Sequence, residues 1–533
     1  MSELKSLLST RFTPAKVNVK QRQILPMWAK FDTATYIGFI IFVLSLPFGY
    51  STAFLNTGLS LVLFGWMGRM ISERKIGWQR TPLDLPIGLF LGLALIASLF
   101  APHPSTSSLG YFWKLLRAIL LFYAVVHSRL GTRWRHVVIA FIAAACISAA
   151  LGLWYYANDT RLGIDFMGRI GLQFQEEFAA GDGFSDELRA ELRTCRVPLS
   201  ETAFHVTNRK PSAQLDEWRI DDPARNRRYT VRKGETHLMV YMIEQRLTGT
   251  FKMPNDLGAY LALSLPFVMG YFAAGFRNNF QRLRFRLICS TLILGIILVL
   301  MSANLVLTLT RAAWVSVAVA AIFIGFYLVI SMLSTTISWK HCLLALSLVS
   351  VVFCVLFLNT STRQAIIDTV PRHIKGRFQT MLTHPAGFMS ERPQWWRTSL
   401  KFIGQHPLTG IGPGRFRYEY QLNGPPEQYD TPYHAHNIYL HIAAEHGIPS
   451  LLLFLWMVAS VCRSVFTMQQ MEDFWGMGTF IGASGFLISA LIYGLADNIL
   501  HQRTVLLFWF IIGIIFYVQL LKDEIDEKTL ETR

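Results

Sequence analysis

The sequence is short of charge. Only 16% of its 533 residues are Asp, Glu, Lys or Arg, against roughly 25% in an ordinary soluble domain. That scarcity excludes a disordered chain or a coiled coil and argues against a soluble enzyme. Cysteine is also scarce. Six cysteines, at 146, 195, 289, 342, 354 and 462, include no CxxC pair. Neither a zinc site nor a disulfide framework is therefore indicated, and small packing residues explain them. No GxxxxGK[ST] phosphate loop occurs, so a nucleotide motor is excluded. The middles of the apolar runs hold almost no acids, and Asp256, Glu445 and Asp497 lie near run ends. An ion-driven carrier usually needs such acids at the bilayer midplane, and no internal repeat of the transporter kind is visible. Residues 1–30 are polar and basic, without the short apolar core and cleavage pattern of a removable signal peptide.

Hydrophobic residues make up 52% of the chain, with 39 Phe and 14 Trp, and mean hydropathy is +0.35. The apolar residues fall in blocks of about 17 to 23, the length that a bilayer core requires of a helix. The fold expected is an all-α polytopic membrane protein with about twelve transmembrane helices. They are read at 33–49, 51–68, 83–101, 109–127, 137–155, 255–276, 287–307, 312–332, 341–358, 438–461, 475–496 and 504–521. Lys and Arg collect in residues 1–32 and in the second, fourth and sixth connections, for example Arg69, Arg74, Arg129, Arg133, Arg277 and Arg282. The positive-inside bias then puts these connections and both termini in the cytoplasm. The organisation expected is a tail 1–32, helices over 33–155, a large outer segment 156–254, helices over 255–358, a second outer loop 359–437, helices over 438–521 and a tail 522–533.

The two outer segments differ in charge. Residues 156–254 hold fifteen bases and fifteen acids, whereas 359–437 hold nine bases and five acids. An Arg-rich outer loop suggests an anionic ligand at the membrane surface, although long loops also translocate regardless of charge. Within the first segment, Ser185 followed by DELRAELRT reads as a capped helix. RYTV and HLMVYMI, around residues 232–235, read as two strands and a turn.

Three constellations carry candidate chemistry. Arg246 and Lys252 flank a Gly-Thr-Phe break just before the sixth span. Arg311 sits in the short, otherwise apolar link Leu307–Trp314 between the seventh and eighth. A guanidinium there suits phosphate oxygens bidentately, and headgroup snorkelling is the alternative. The third is Pro407–Phe416, a Gly-rich turn whose N–H groups suit an anion, followed by Tyr433-His434-Ala435-His436-Asn437 and then His441, Glu445 and His446. If a helix starts at Asn437, then Asn437, His441 and Glu445 share one face. Four His in thirteen residues also raise a metal site, but without a tight ligand pattern they fit acid/base or phosphate work better.

These residues resemble the O-antigen ligase and O-antigen polymerase superfamily of bacterial cell-envelope glycan transferases. His436-Asn437, nine residues and Gly447 resemble its His-Asn-x9-Gly pattern, and Trp396-Arg397 with HPLTGIGPG (406–414) resembles its Gly-rich run. RLTGTFKMPNDLGAYLAL from Arg246 and LTLTRAAW through Arg311 resemble its two Arg segments. Residues 240–460 carry the resemblance; the hundred-residue first outer segment is longer than expected of a compact ligase. What it implies is transfer of a glycan from undecaprenyl diphosphate to an acceptor, lipid A–core for a ligase, at the periplasmic face of the inner membrane. Arg246 and Arg311 would clamp the diphosphate, and His436 would orient or deprotonate the acceptor hydroxyl or donate to the diphosphate. Lys252, His434, Arg415, Arg417 and Asn437 would contact substrate. The partners expected are that donor, a lipid A–core or glycan acceptor and the bilayer, with no nucleic acid, nucleotide, cofactor or metal. A polymerase, or a transporter of lipid-linked sugars, is the alternative.

Overall fold

The computed structural model describes residues 27–74, 78–100, 106–158, 238–281, 285–333, 392–424, 432–468, 473–500 and 503–531, with Met471 and strand residues 164–166, 169–172, 217–222 and 227–233. The expected span at 341–358, the helix after Ser185 and the first part of the second loop lie outside these residues.

The membrane body is helical. In chain order it contains α1 (Met27–Ser45), α2 (Thr52–Glu73), α3 (Asp84–Leu99), α4 (Thr106–Val126), α5 (Trp134–Ala157), α6 (Pro254–Gln281), α7 (Phe285–Leu307) and α8 (Arg311–Leu333). After α9 (Arg392–Gln405), α10 (Phe416–Asn423) and α11 (Ile438–His446) come α12 (Ile448–Thr467), α13 (Phe474–Gly494) and α14 (Thr504–Glu531). Among the described residues nine helices are long and apolar enough to cross a membrane, and α3 is a shorter apolar helix. The membrane body is multi-pass and all-α.

Burial sorts the helices into two shells. Most of α6, α13 and α14 is enclosed, whereas only about a third of the apolar window of α2, α7, α8 and α12 is buried. Large exposed side chains such as Ile71, Leu292, Val299 and Trp456 belong on a surface solvated by hydrocarbon, where they cost nothing. The central pair α6/α13 meets backbone to backbone. A Cβ on Gly270 would lie 2.1 Å from Gly482 N, and one on Gly478 would lie 2.5 Å from the Tyr271 ring. With apolar solvent on the outside, such close packing of small residues holds membrane helices together. It also fixes how the start of α6 faces the loop after α13.

The segment between α5 and α6 forms five antiparallel strands. β4 (Arg227–Lys233) pairs with β3 (Glu217–Asp222) on one side and β5 (Leu238–Leu247) on the other; β5 also pairs with β1 (Ile164–Phe166) and β2 (Arg169–Leu172). The expected RYTV–HLMVYMI hairpin is the β4–β5 pair. Arg246 is thus the penultimate residue of β5, and the sheet delivers the chain directly to α6.

The segment read as one span at 438–461 is two helices. Gly447 stands between α11 and α12 at φ +85°, ψ 165°, and Pro449 opens α12. Helix α11 packs with α9, the 406–415 turn and α10 around a small separate core of Phe402, Ile411, Phe416, Tyr420, Ala435 and Ala444. That core holds one face of α11, while Ile438 and Ile442 on the same helix pack into the core of the membrane bundle.

Candidate active site

The His-Asn-x9-Gly spacing is a capped helix. Asn437 has extended backbone, and its Oδ1 accepts from Tyr439 N and Leu440 N, both at 3.0 Å, as an N-cap should. Its Nδ2 donates to Leu495 O at 3.1 Å. Both ends of the amide are therefore engaged by the protein, and Asn437, expected to contact substrate, ties α11 to the α13–α14 loop. Gly447 closes the helix after its nine residues; a Cβ there would lie 2.2 Å from Leu408 O.

The cap throws His436 into a left-handed conformation, φ +47°, uncommon for a residue with a side chain. Its ring stacks on Trp395 from α9, with centroids 4.6 Å apart and planes at 27°. Its Nδ1 lies 3.0 Å from Asp497 Oδ1. Asp497 is buried in the α13–α14 loop, where its Oδ1 also accepts from Asn498 N at 2.8 Å and its Oδ2 from Tyr493 Oη at 3.3 Å. Burial alone would raise its pKa, but His436, His434 and Arg392 outweigh that and hold the carboxyl well below the ordinary carboxylate range. An ionised carboxylate at Nδ1 selects the tautomer protonated on Nδ1. That leaves the Nε2 lone pair to accept a proton, the logic of a His–Asp pair in acyl transfer.

His434 completes the cluster. Its Nδ1 accepts from His436 N at 3.2 Å, its ring centroid is 4.2 Å from that of His436, and its Nε2 lies 3.8 Å from Asp497 Oδ1. The ligand atoms of His434, His436 and Asp497 all lie within 4.8 Å of one another. Two imidazoles and a carboxylate are also a donor set that a divalent ion accepts, but the 3.0 Å contact satisfies Nδ1 and Oδ1 without one. Behind them, burial and then the neighbouring His436 push His441 down to about 3.

The Gly-rich turn does hold a carboxyl group, but it is the chain's own. Gly414 N and Phe416 N donate to the two Glu445 oxygens at 2.8 and 3.0 Å, and Gly412 N donates to the Glu445 carbonyl at 3.0 Å. The turn is a clasp around the C-terminal end of α11. Arg415 is likewise buried, 3.1 Å from Glu419, and its guanidinium lies 4.9 Å from the Tyr418 ring centroid. Arg417 lies over the Tyr433 ring at 4.0 Å.

The two Arg segments interlock. Arg246 is buried; its Nε donates to Thr308 O at 2.9 Å, and its Nη2 donates to Asn255 Oδ1 at 2.8 Å and Thr310 Oγ1 at 3.2 Å. It joins the end of β5, the start of α6 and the α7–α8 link, so it braces the link that presents Arg311, the half-buried first residue of α8. Arg246→Ala would take the guanidinium donor away from the buried Thr308 carbonyl and untie the start of α6 from the α7–α8 link. A loss of about 2–4 kcal/mol is expected, seen as a lower Tm of the purified protein. Lys at this position is expected to recover only part of it, because an ammonium lacks the planar fork.

A cavity of about 410 Å³ opens beside the cluster. It is lined by His434, His441 and Glu445, by Lys114 and Arg117 of α4, and by Lys252, two residues before α6. Of the site residues expected from sequence, Lys252 and His434 line it; His436 stands behind His434, and Arg246, Arg311, Arg415, Arg417 and Asn437 do not reach its wall. The sequence reading assigned no role to Asp497 or Trp395. Asp497 is 61 residues from its partner, and its one signal was an isolated acid at a span end.

Residues 296–455 match the family model described as O-antigen ligase. The matched stretch contains Arg311, His434 and His436 but ends before Asp497. No curated protein matches the sequence. The resemblance to O-antigen ligases stands on that match, and it supports glycan transfer of the ligase/polymerase type by a membrane enzyme.

Proposed function

We propose that this enzyme moves a glycan from undecaprenyl diphosphate to lipid A–core at the periplasmic face of the bacterial inner membrane. The observation that carries the reading is the His436–Asp497 pair, set beside a cationic cavity at one end of the helical bundle. The expected topology fits it: both termini cytoplasmic, with residues 156–254 and 359–437 periplasmic.

The acceptor hydroxyl attacks the anomeric carbon of the lipid-linked sugar, and its proton passes to His436 Nε2. The bond from that carbon to the diphosphate oxygen breaks, and undecaprenyl diphosphate leaves with the bonding electrons. Asp497 keeps His436 in the accepting tautomer and stabilises the imidazolium that forms. Arg311 faces the charge that grows on the diphosphate, where a preoriented cation lowers the barrier most. Arg246 acts through Arg311, as the brace of its hairpin. Lys252 and His434, which line the cavity, would contact sugar or phosphate, Arg417 would do so from outside its wall, and Arg415 positions α10 through Glu419.

The test is reconstituted transfer from undecaprenyl-diphosphate glycan to rough lipopolysaccharide, with chelator and without nucleotide. Wild type is expected to build a ladder on the lipopolysaccharide. His436→Ala is expected to be slower by about 10²–10⁴-fold. A glycan that lengthens on its own carrier without lipopolysaccharide would make the enzyme a polymerase. Loss of activity to chelator, restored by a divalent ion, would assign the His434–His436–Asp497 cluster to a metal instead.

A further inference from the structure

Of the cations that line the cavity, the mechanism above uses only Lys252. Lys114 and Arg117 lie three residues apart on α4 and therefore on one face of it; both line the cavity, as does Lys252. Among the described residues none of the three lies within 4.0 Å of a carboxylate. Arg117 donates from Nη1 to the neutral amide oxygen of Asn56 at 3.1 Å, and its Nε is buried without an acceptor. Lys114 Nζ lies 4.3 Å from the Tyr111 ring centroid, and Lys252 Nζ lies 5.8 Å from that of Tyr50. Neither acid on the wall forms an ion pair with them, although Asp256 is near enough to Lys252 to feel its charge. Glu445 is held by its own backbone clasp, and Asp256 stands at the first turn of α6. Arg503, a fourth cation on the wall, is engaged by the carbonyls of Ser45 and Gly49.

Cations within a membrane span are costly, and they mark a ligand path or a partner charge. Here they are set among apolar neighbours, with Leu55, Phe90, Phe112 and Leu115 lining the same cavity. Apolar lining beside a cluster of cations suits an amphiphile, with hydrocarbon on one side and phosphate on the other.

We infer that Lys114, Arg117 and Lys252 form a second anion subsite, in the same cavity as His434, for a phosphate group carried on a lipid. The inference rests on the transferase reading for its place in catalysis, but not for its ligand chemistry. Either substrate can supply the phosphate: the carrier's diphosphate, or a phosphate on the lipid anchor of the acceptor.

Binding separates the sources. Full-length protein in phosphatidylcholine nanodiscs is titrated with undecaprenyl diphosphate, with rough lipopolysaccharide and with its dephosphorylated form, and bound lipid is read by native mass spectrometry. For Lys114→Gln/Arg117→Gln, affinity for at least one phosphorylated ligand is expected to fall tenfold or more. Weakening of the carrier assigns the subsite to the donor; weakening of phosphorylated lipopolysaccharide alone assigns it to the acceptor. Lys114→Arg/Arg117→Lys keeps the charges and is expected to bind like wild type. If the double variant does not purify, the exposed Lys114→Gln alone gives the reading, with a smaller fall expected. Undiminished binding of both phosphorylated ligands overturns the inference. Absence of product from wild type in the transfer assay, with binding intact, would instead overturn the proposed function and leave the subsite standing.

Discussion

Asp497→Asn is expected to slow transfer by about 10² or more, mostly in kcat, with the donor KM little changed. The substitution is nearly isosteric, so the contacts from Tyr493 and Asn498 have a partner of the same shape. What it removes is the charge that holds the proton on His436 Nδ1. An Asn that turns its amide nitrogen toward Nδ1 selects the opposite tautomer, and Nε2 then carries a proton where it should accept one. Steady-state kinetics on the reconstituted protein check this, and an equal loss in His436→Ala and the double variant would show that the two residues act as a unit. The sign of the pH effect follows from the depressed pKa. Such a carboxylate contributes stability above its ordinary value of 3.8 and loses it only as pH falls through its lower folded value. The Tm difference between wild type and Asp497→Asn should therefore be lost in strong acid, below the ordinary carboxylate range.

Gly447→Ala is expected to cost about 3 kcal/mol or more in stability and to abolish transfer without touching a reacting group. At φ +85° and ψ 165° the backbone is in a region that only glycine occupies readily. The added Cβ would meet not a flexible side chain but the Leu408 carbonyl, with its carbon at 2.5 Å and its oxygen at 2.2 Å. Ile448 N, the next donor, is bonded to Pro407 O at 2.8 Å, so the 407–409 turn cannot retreat without losing that bond. Expression yield and Tm measure the first effect, and the transfer assay the second. Gly404→Ala is the control: it lies in α9 with nothing within 4 Å of the new Cβ. It is expected to be neutral or slightly stabilising, as Ala for Gly in a helix usually is.

The spans were legible because hydropathy is local, and the β4–β5 hairpin because alternation and a turn are local too. The break in the tenth span was also written locally, in Gly447-Ile448-Pro449, but the apolar run on both sides of it reads as one helix. The site was legible in part. The motif spacing pointed to His436, but its partner arrives from a loop after another transmembrane helix, and no periodicity links the two. Arg246 and Arg415 look alike in sequence to Lys252, each a cation near an interface. Burial separates them: the first two are enclosed with protein acceptors, and Lys252 opens onto the cavity. The Gly-rich turn was read as a seat for an outside anion and instead clasps the Glu445 carboxyl, which lies some thirty residues downstream.

The nine residues of α11 also act as an angular gauge. At about 100° per residue, nine positions turn the chain through about two and a half revolutions. The Asn437 end therefore points toward Leu495 while the Gly447 end meets Leu408 on another side. One residue added or removed inside α11 would swing these attachments out of phase by about 100°, and either the imidazole or the clasp would lose its seat. The number nine in this motif is a rotation, and any chain that keeps both attachments has to keep it, whatever side chains line the helix between.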